Sequence, residues 1–255
     1  MATSGLFTSV LLGCRDTNRG QQAVADIQAR GKGRIAPTTE IKYLPLTVGD
    51  EASHEKFRQT VEDQYGKLDC LVNNAGFAFK GADPTPFAQQ CKPTIDINFR
   101  GTVDLTETLI PLLRKGTDAR IVNVASMSGH LSQIRSADLR NEFTSQALTM
   151  VRLRELVDEF EEDVLEGRNT EKGWGNSNYG LSKLALIAAT KIMAREEAAN
   201  NIKVNCCCPG YCDTDMTSNK GTRAPEEGAL NAVLPATMEN CPSGEFFSNM
   251  KVTDW

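Results

Sequence analysis

The chain has 255 residues, 40% apolar and 24% charged, which suits one α/β domain with a sizeable core. Its net charge of −5 argues against a nucleic-acid surface, because such domains carry a basic excess. No run approaches the ~20 apolar residues of a membrane span, so an integral membrane protein is excluded.

Taken in chain order, short apolar, β-branched runs alternate with longer amphipathic stretches. Leu6 to Cys14 ends in Leu11-Leu12-Gly13-Cys14 and has the look of a lipoprotein signal, but no Lys or Arg precedes it. It is read as a strand over Thr8–Gly13. Further strands are expected at Ile41–Leu46, Leu68–Val72, Arg120–Val124 and Lys203–Cys207. Helices are expected at Asn18–Arg30, Ser53–Tyr65, Gly101–Leu113 and Tyr179–Ala199. This alternation predicts βαβ units and a Rossmann-like, doubly wound parallel sheet covered on both faces. From Arg135 to Asn176 no strand is expected. Asn141–Gly167 is charged, but Leu153, Leu156, Val157, Phe160, Val164 and Leu165 recur at helical spacing, which predicts a helical insertion. With no repeat and no linker, residues 1–255 form one domain. The eight cysteines make no C-x-x-C pair and only His54 and His130 could join them, so no metal site is expected. Three of them, Cys206, Cys207 and Cys208, read as small buried residues of a reducing, cytosolic compartment.

Ligands of parallel sheets bind at the carboxyl ends of the strands, so the residues just after each strand carry the functional search. Asn73-Asn74-Ala75-Gly76 follows the third strand and offers polar side chains with a close backbone approach. Asn98 stands in Asp96-Ile97-Asn98-Phe99. Ser126 follows the fourth strand, with Ser128 a weaker choice, although a lone Ser there is also an ordinary turn or cap residue. In Tyr179-Gly180-Leu181-Ser182-Lys183, Tyr and Lys lie one turn apart on a helix face. A nearby ammonium lowers a phenol pKa, so such a Tyr can exchange protons near neutral pH. Cys208-Pro209-Gly210 follows the fifth strand and leads to Thr214, Asp215 and Met216. Met127, Tyr211 and Met216 could form an adaptable apolar wall for hydrophobic aldehydes, ketones or quinones, or be ordinary packing.

These signals, in this order, resemble the short-chain dehydrogenase/reductase family, in particular its monomeric NADPH-dependent carbonyl reductase branch. The resemblance runs from about Ser9 to Trp255. It is carried further by Asn73 to Lys80, Asp83-Pro84-Thr85-Pro86-Phe87, Pro225-Glu226-Glu227-Gly228 and the terminal Trp255. In most members the Ser and Tyr stand close in sequence; the 135–176 insertion that separates them here also marks that branch. The resemblance implies that Tyr179 protonates a carbonyl oxygen of a small-molecule substrate, with Ser126 hydrogen-bonding the same oxygen. Lys183 would lower the Tyr179 pKa and bind the nicotinamide ribose. Asn98 would hold a relay water, Asn74 would face the adenosine ribose, and Thr214 would face the nicotinamide. Arg15 and Arg19, after the first strand, suit a 2′-phosphate and so NADPH, although Asp16 between them leaves charge alone ambiguous. Thr47 stands where the family often has an Asp against the adenine. The insertion is expected to cover a dimerisation face and leave a monomer.

One part of the pattern is not in these residues. The family begins with a strand, a T-G-x-x-x-G-x-G loop and a helix, which cradle the pyrophosphate. Thr8–Gly13 matches the family's second strand. Gly31-Lys32-Gly33-Arg34-Ile35-Ala36 fits G-x-G-x-x-A but lies between a helix and a strand, the reverse context. The first βα unit is therefore expected to be missing. Two functions stay open: an NADPH-dependent carbonyl reductase, and a non-catalytic relative acting as a binding or regulatory protein. The chain as given is expected to bind NADPH poorly and to be marginally stable.

Overall fold

A computed structural model describes residues 1–255. Strand β1 (Ser9–Cys14) leads through α1 (Thr17–Arg30) to β2 (Glu40–Pro45), α2 (Glu51–Tyr65) and β3 (Cys70–Asn73). Helix α3 (Phe87–Ile95) runs into a five-residue π turn, Asp96–Arg100, and on into α4 (Gly101–Leu113) and β4 (Arg120–Val124). Then come α5 (Ala137–Thr144), α6 (Met150–Leu165), α7 (Asn178–Glu196), β5 (Lys203–Cys208), α8 (Pro225–Thr237) and the short strands β6 (Phe246–Ser248) and β7 (Lys251–Thr253). The expected strands and helices are all present, with ends that coincide or move by at most three residues. Helices α3 and α8 and strands β6 and β7 were not anticipated. No helix is long and apolar enough to cross a membrane.

The sheet is not continuous. Strands β1 and β2 pair in parallel as one ribbon, and β3-β4-β5-β6 pair in parallel as another, with β7 antiparallel at its edge. The free edges of β1 and β3 face a common cavity of about 1590 Å³. The expected Rossmann-like parallel α/β fold with a helical insertion is present, its strands paired in two groups. Nothing pairs with the inner edge of either strand, because Met1–Thr8 forms turns and no strand.

Helix α7 carries apolar residues all round and is buried on nearly every side, between the sheet and the insertion. The insertion is helical as expected, as α5 and α6 rather than one continuous rod. Leu153, Leu156, Val157 and Phe160 turn inward and join the main core with Ile95, Phe99 and the inner face of α7. Trp174 closes this end: its ring meets Phe160 edge-on at 5.8 Å, and its Nε1 donates to Asp163 at 2.8 Å. Arg100 ties the π turn to α6 through Glu161 at 2.7 Å.

Candidate active site

Five segments converge at the carboxyl ends of β3, β4 and β5. After β3, the chain loops through Asn74 to Phe77. Gly76 lies beside the site: a Cβ there would make ordinary contacts, 3.5 Å from Asn98 Oδ1 and 3.6 Å from Lys183 Nζ. Asn98 is fully buried in the π turn. Its Oδ1 accepts from Phe77 N–H at 2.7 Å, and its Nδ2 donates to Phe77 C=O at 2.8 Å and to Ser182 Oγ at 3.0 Å. Both amide hydrogens are therefore committed to the loop and to α7. This places the Asn98 side chain as a clamp on the β3 loop.

Ser126 follows β4 in extended conformation and caps the turn Met127–Gly129, its Oγ accepting from Ser128 N–H at 3.1 Å. This capping contact uses a lone pair of Ser126 Oγ and leaves the hydroxyl proton free to donate. Helix α7 starts beneath this turn. Ser177 caps it through Gly180 N–H, and Gly180 lies so near the Ser128 carbonyl that a side chain would collide with it. Tyr179 sits in the first turn, half-buried beside Ser126. Lys183, one turn on, is 3% exposed; its Nζ donates to Val124 C=O at 2.8 Å and lies 5.8 Å from the centre of the Tyr179 ring.

The electrostatics differ from the expectation that Lys183 lowers the Tyr179 pKa. Burial raises the Tyr179 phenol above its ordinary value, and hydrogen bonding with Ser126 pulls it back in part. Burial also acts on the amine, bringing Lys183 down to about 8. The cause is common to both: each charged form loses water, and no carboxylate is at hand to replace it. In β5, burial pushes the Cys206 thiol up to about 12 and raises that of Cys207 as well.

The other expected residues fall in two groups. Asn74 is exposed at the end of β3, but its neighbour Asn73 is buried in a polar chain across the core. Asn73 Nδ2 donates to Asn123 and Thr106, each at 2.8 Å, and Asn123 donates to Thr190 at 2.9 Å. Asp16 is engaged as the N-cap of α1, accepting from Arg19 N–H at 2.9 Å. Arg15 and Arg19 are exposed and neither takes part in a salt bridge, so the Asp16 ambiguity resolves toward free cations at the end of β1. Thr214 opens the short turn Asp215–Thr217. Met127, Tyr211 and Met216 are 42%, 54% and 43% exposed, so none is core packing. Met216 Cε reaches to 3.8 Å from the position of a Gly76 Cβ. Ser182 was missed: fully buried, it links Asn98 to the Tyr179 carbonyl. Its signal lay in the motif, midway between Tyr179 and Lys183.

A parallel sheet with helices on its faces, and a phenol, an amine and a hydroxyl gathered at its carboxyl ends, defines an α/β protein whose candidate site lies on that rim. A family model described as short chain dehydrogenase matches residues 3–137 and 167–225, and the break between them falls on α5 and α6. The chain belongs to the short chain dehydrogenase family. It is similar to carbonyl reductase [NADPH] 1 of Homo sapiens, 39% identical over 255 residues, with 96% of this chain and 88% of that protein covered. The Mus musculus protein of the same name is 38% identical over 256 residues, with the same coverage. Among solved structures, salutaridine reductase from Papaver somniferum matches with a TM-score of 0.83 at 28% identity, over 93% of this chain and 90% of that one. An NADPH-bound carbonyl reductase from chicken fatty liver shares the fold, with a TM-score of 0.66 at 21% identity over 97% and 88%.

Proposed function

We propose that this protein is an NADPH-dependent carbonyl reductase in which Tyr179 donates the proton. NADPH supplies the hydride when bound. The observation that carries the reading is the placement of Tyr179, Ser126 and Lys183 on one rim, beside an exposed apolar margin. The Tyr179 hydroxyl delivers its proton to the substrate oxygen. Ser126, whose lone pair is held by Ser128 N–H, directs its own proton to the same oxygen as negative charge develops. Lys183 spends one of its three hydrogens on Val124 C=O, and the others are free for ribose hydroxyls. A bound cofactor's hydroxyls would also rehydrate, in effect, the two groups that burial now disfavours as ions. Arg15 and Arg19 hold the 2′-phosphate, Asn74 faces the adenosine ribose and Thr214 the nicotinamide. Met127, Tyr211 and Met216 favour hydrophobic aldehydes, ketones or quinones.

The residues present therefore suit both ends of the cofactor. A second reading, a non-catalytic relative acting as a binding or regulatory protein, draws on a different observation: the inner edges of β1 and β3 are unpaired and face a cavity. The experiment is NADPH oxidation with an aromatic aldehyde or quinone, comparing the parent with Tyr179→Phe. Loss of at least ~10²-fold in turnover supports the proton-donor role. Undiminished turnover in the variant overturns it, and no turnover in the parent, with no NADPH binding by calorimetry, supports the second reading.

A further inference from the structure

Between β5 and α8 the chain leaves the rim and returns to it at one residue, Arg223. It runs from Pro209 and Gly210 to Tyr211, loops over Thr214 and Met216, and comes back at Gly221, Thr222 and Arg223. The main chain of Arg223 closes this loop. Its N–H donates to Tyr211 C=O at 3.0 Å, and its C=O accepts from Asp213 N–H at 2.9 Å. Thr222 N–H donates to the same Tyr211 carbonyl at 2.9 Å. Cys212 and Arg223 thus stand as an isolated parallel bridge. Gly221 fits this neck only because it has no side chain: a Cβ there would lie 2.0 Å from the Cys212 carbonyl carbon.

The Arg223 side chain reaches the other way. Its guanidinium covers Gly210, where a Cβ would sit 2.4 Å from Nη1 and 2.8 Å from Cζ. Nη1 donates to Pro209 C=O at 2.9 Å, and Nη2 donates to Asn249 Oδ1 at 2.6 Å. Asn249 and Met250 form the two-residue turn between β6 and β7, and both have positive φ, 50° and 62°. Such a turn suits Asn and is unusual for Met. It is held at both positions: Met250 N–H donates to the buried Asn231 Oδ1 of α8 at 2.9 Å, and Asn249 is held by Arg223. Arg223 is thus a brace between the anchored β6–β7 hairpin and the two residues just before Tyr211.

We propose, on the reductase reading of this rim, that Arg223 is a positioning residue that selects planar aromatic carbonyl compounds by holding Tyr211 in place. Tyr211 is exposed, yet its main chain is fixed on both sides. The Pro209 carbonyl before it is tied to Arg223, and its own carbonyl takes two N–H groups. An aromatic ring on a fixed main chain loses little freedom when a flat partner stacks on it. A small aliphatic aldehyde gains little from the same ring face. Thr214 lies beyond the neck and is held separately, its N–H donating to Thr217 Oγ1 at 3.1 Å and its C=O accepting from Asn219 N–H at 2.9 Å. Loss of the Arg223 side chain therefore acts on the aromatic wall and spares the cofactor side of the loop.

The test is steady-state reduction of naphthaldehyde and of propanal with NADPH by the 255-residue protein and three variants. Arg223→Ala removes the brace. Asn249→Gly keeps the left-handed turn and removes only the acceptor, whereas Asn249→Asp keeps both. Arg223→Ala and Asn249→Gly are each expected to raise the KM for naphthaldehyde by about fivefold or more, with kcat, the KM for NADPH and kcat/KM for propanal changed by less than about twofold. Asn249→Asp is expected to match the parent. An unchanged naphthaldehyde KM in Asn249→Gly, an effect shared equally by propanal or NADPH, or an Asn249→Asp that behaves like Asn249→Gly would overturn the role of Arg223 and leave the reductase reading standing. No reduction of either aldehyde by the parent would overturn that reading, and the role of Arg223 with it.

Discussion

Trp255 Nε1 donates to the Gly129 carbonyl at 3.0 Å, so the last residue of the chain holds the turn that begins at Ser126. Gly129 is itself wedged against α7: a Cβ there would lie 2.8 Å from the backbone at Lys183 and Leu184. Lys191, on the same helix, lies 5.8 Å from the centre of the Trp255 ring. The contact thus fixes the spacing between Ser126 and the Tyr179–Lys183 face. Trp255→Phe keeps the ring and loses the hydrogen bond, which costs about 1 kcal/mol of stability. Turnover is expected to fall with little change in KM, since the Ser126 hydroxyl acts as charge develops. An unchanged turnover would show that the turn holds itself.

Lys183 carries a stability prediction with a definite sign. Its folded pKa, about 8, is below the ordinary 10.5. Below pH 8 both folded and unfolded chains carry the charge, and the folded chain bears the full burial cost. Between about 8 and 10.5 the unfolded chain keeps a proton that the folded chain has released, so this group makes stability rise with pH. Lys183→Met removes the cost. At pH 7 it is expected to stabilise by as much as about 3 kcal/mol, less whatever the freed Val124 carbonyl costs. That advantage shrinks as pH rises through the window. Urea unfolding of parent and variant at pH 7 and pH 10 measures it, and an equal difference at both values contradicts it.

Arg15 and Arg19 provide a test of cofactor choice. Replacing both with Ala is expected to raise the KM for NADPH by an order of magnitude or more, roughly one charge-assisted hydrogen bond's worth, and to leave that for NADH nearly alone. An equal rise for both cofactors would assign the pair a structural role.

Association follows from where α6 lies. Its apolar stripe is covered by α3 and α7 of the same chain, so α7 has little surface left to offer a second copy. Light scattering at micromolar concentration is expected to give a monomer. Leu153→Asp, which buries an unpaired charge in that contact, is expected to destabilise by several kcal/mol, about 3 or more, read by thermal unfolding.

Much of the rim was legible before the structure. Ligands of parallel sheets bind at strand ends, so Ser126, Asn74 and the Tyr179–Lys183 pair stood out as candidates by position, and the family resemblance supplied the roles expected of them. Other features were not. Helix α3 contains Pro93, and the π turn that aims Asn98 inward leaves no periodic trace. Strands β6 and β7 have three residues each, too few for alternation to register. Helix α8 opens with Pro225 and two glutamates, a start signal that went unread.

The amino-acid order decided which residue types follow each strand, the helical character of the insertion, and the lack of a glycine loop between β1 and β3. The first two are local properties, set by chain periodicity and by residues a few positions apart, and these 255 residues say nothing of what precedes them. Tertiary structure decided their use. Asn73 and Asn74 are identical neighbours, yet one is spent on a buried polar chain and the other faces outward, because β3 ends at Asn73 and the chain turns there, Asn74 N–H folding back onto the Val72 carbonyl. Asp16 caps a helix while the arginines beside it stay unpaired. Tyr179 and Lys183 are shifted by burial more than by each other, since desolvation depends on what packs above them, which sequence spacing does not contain.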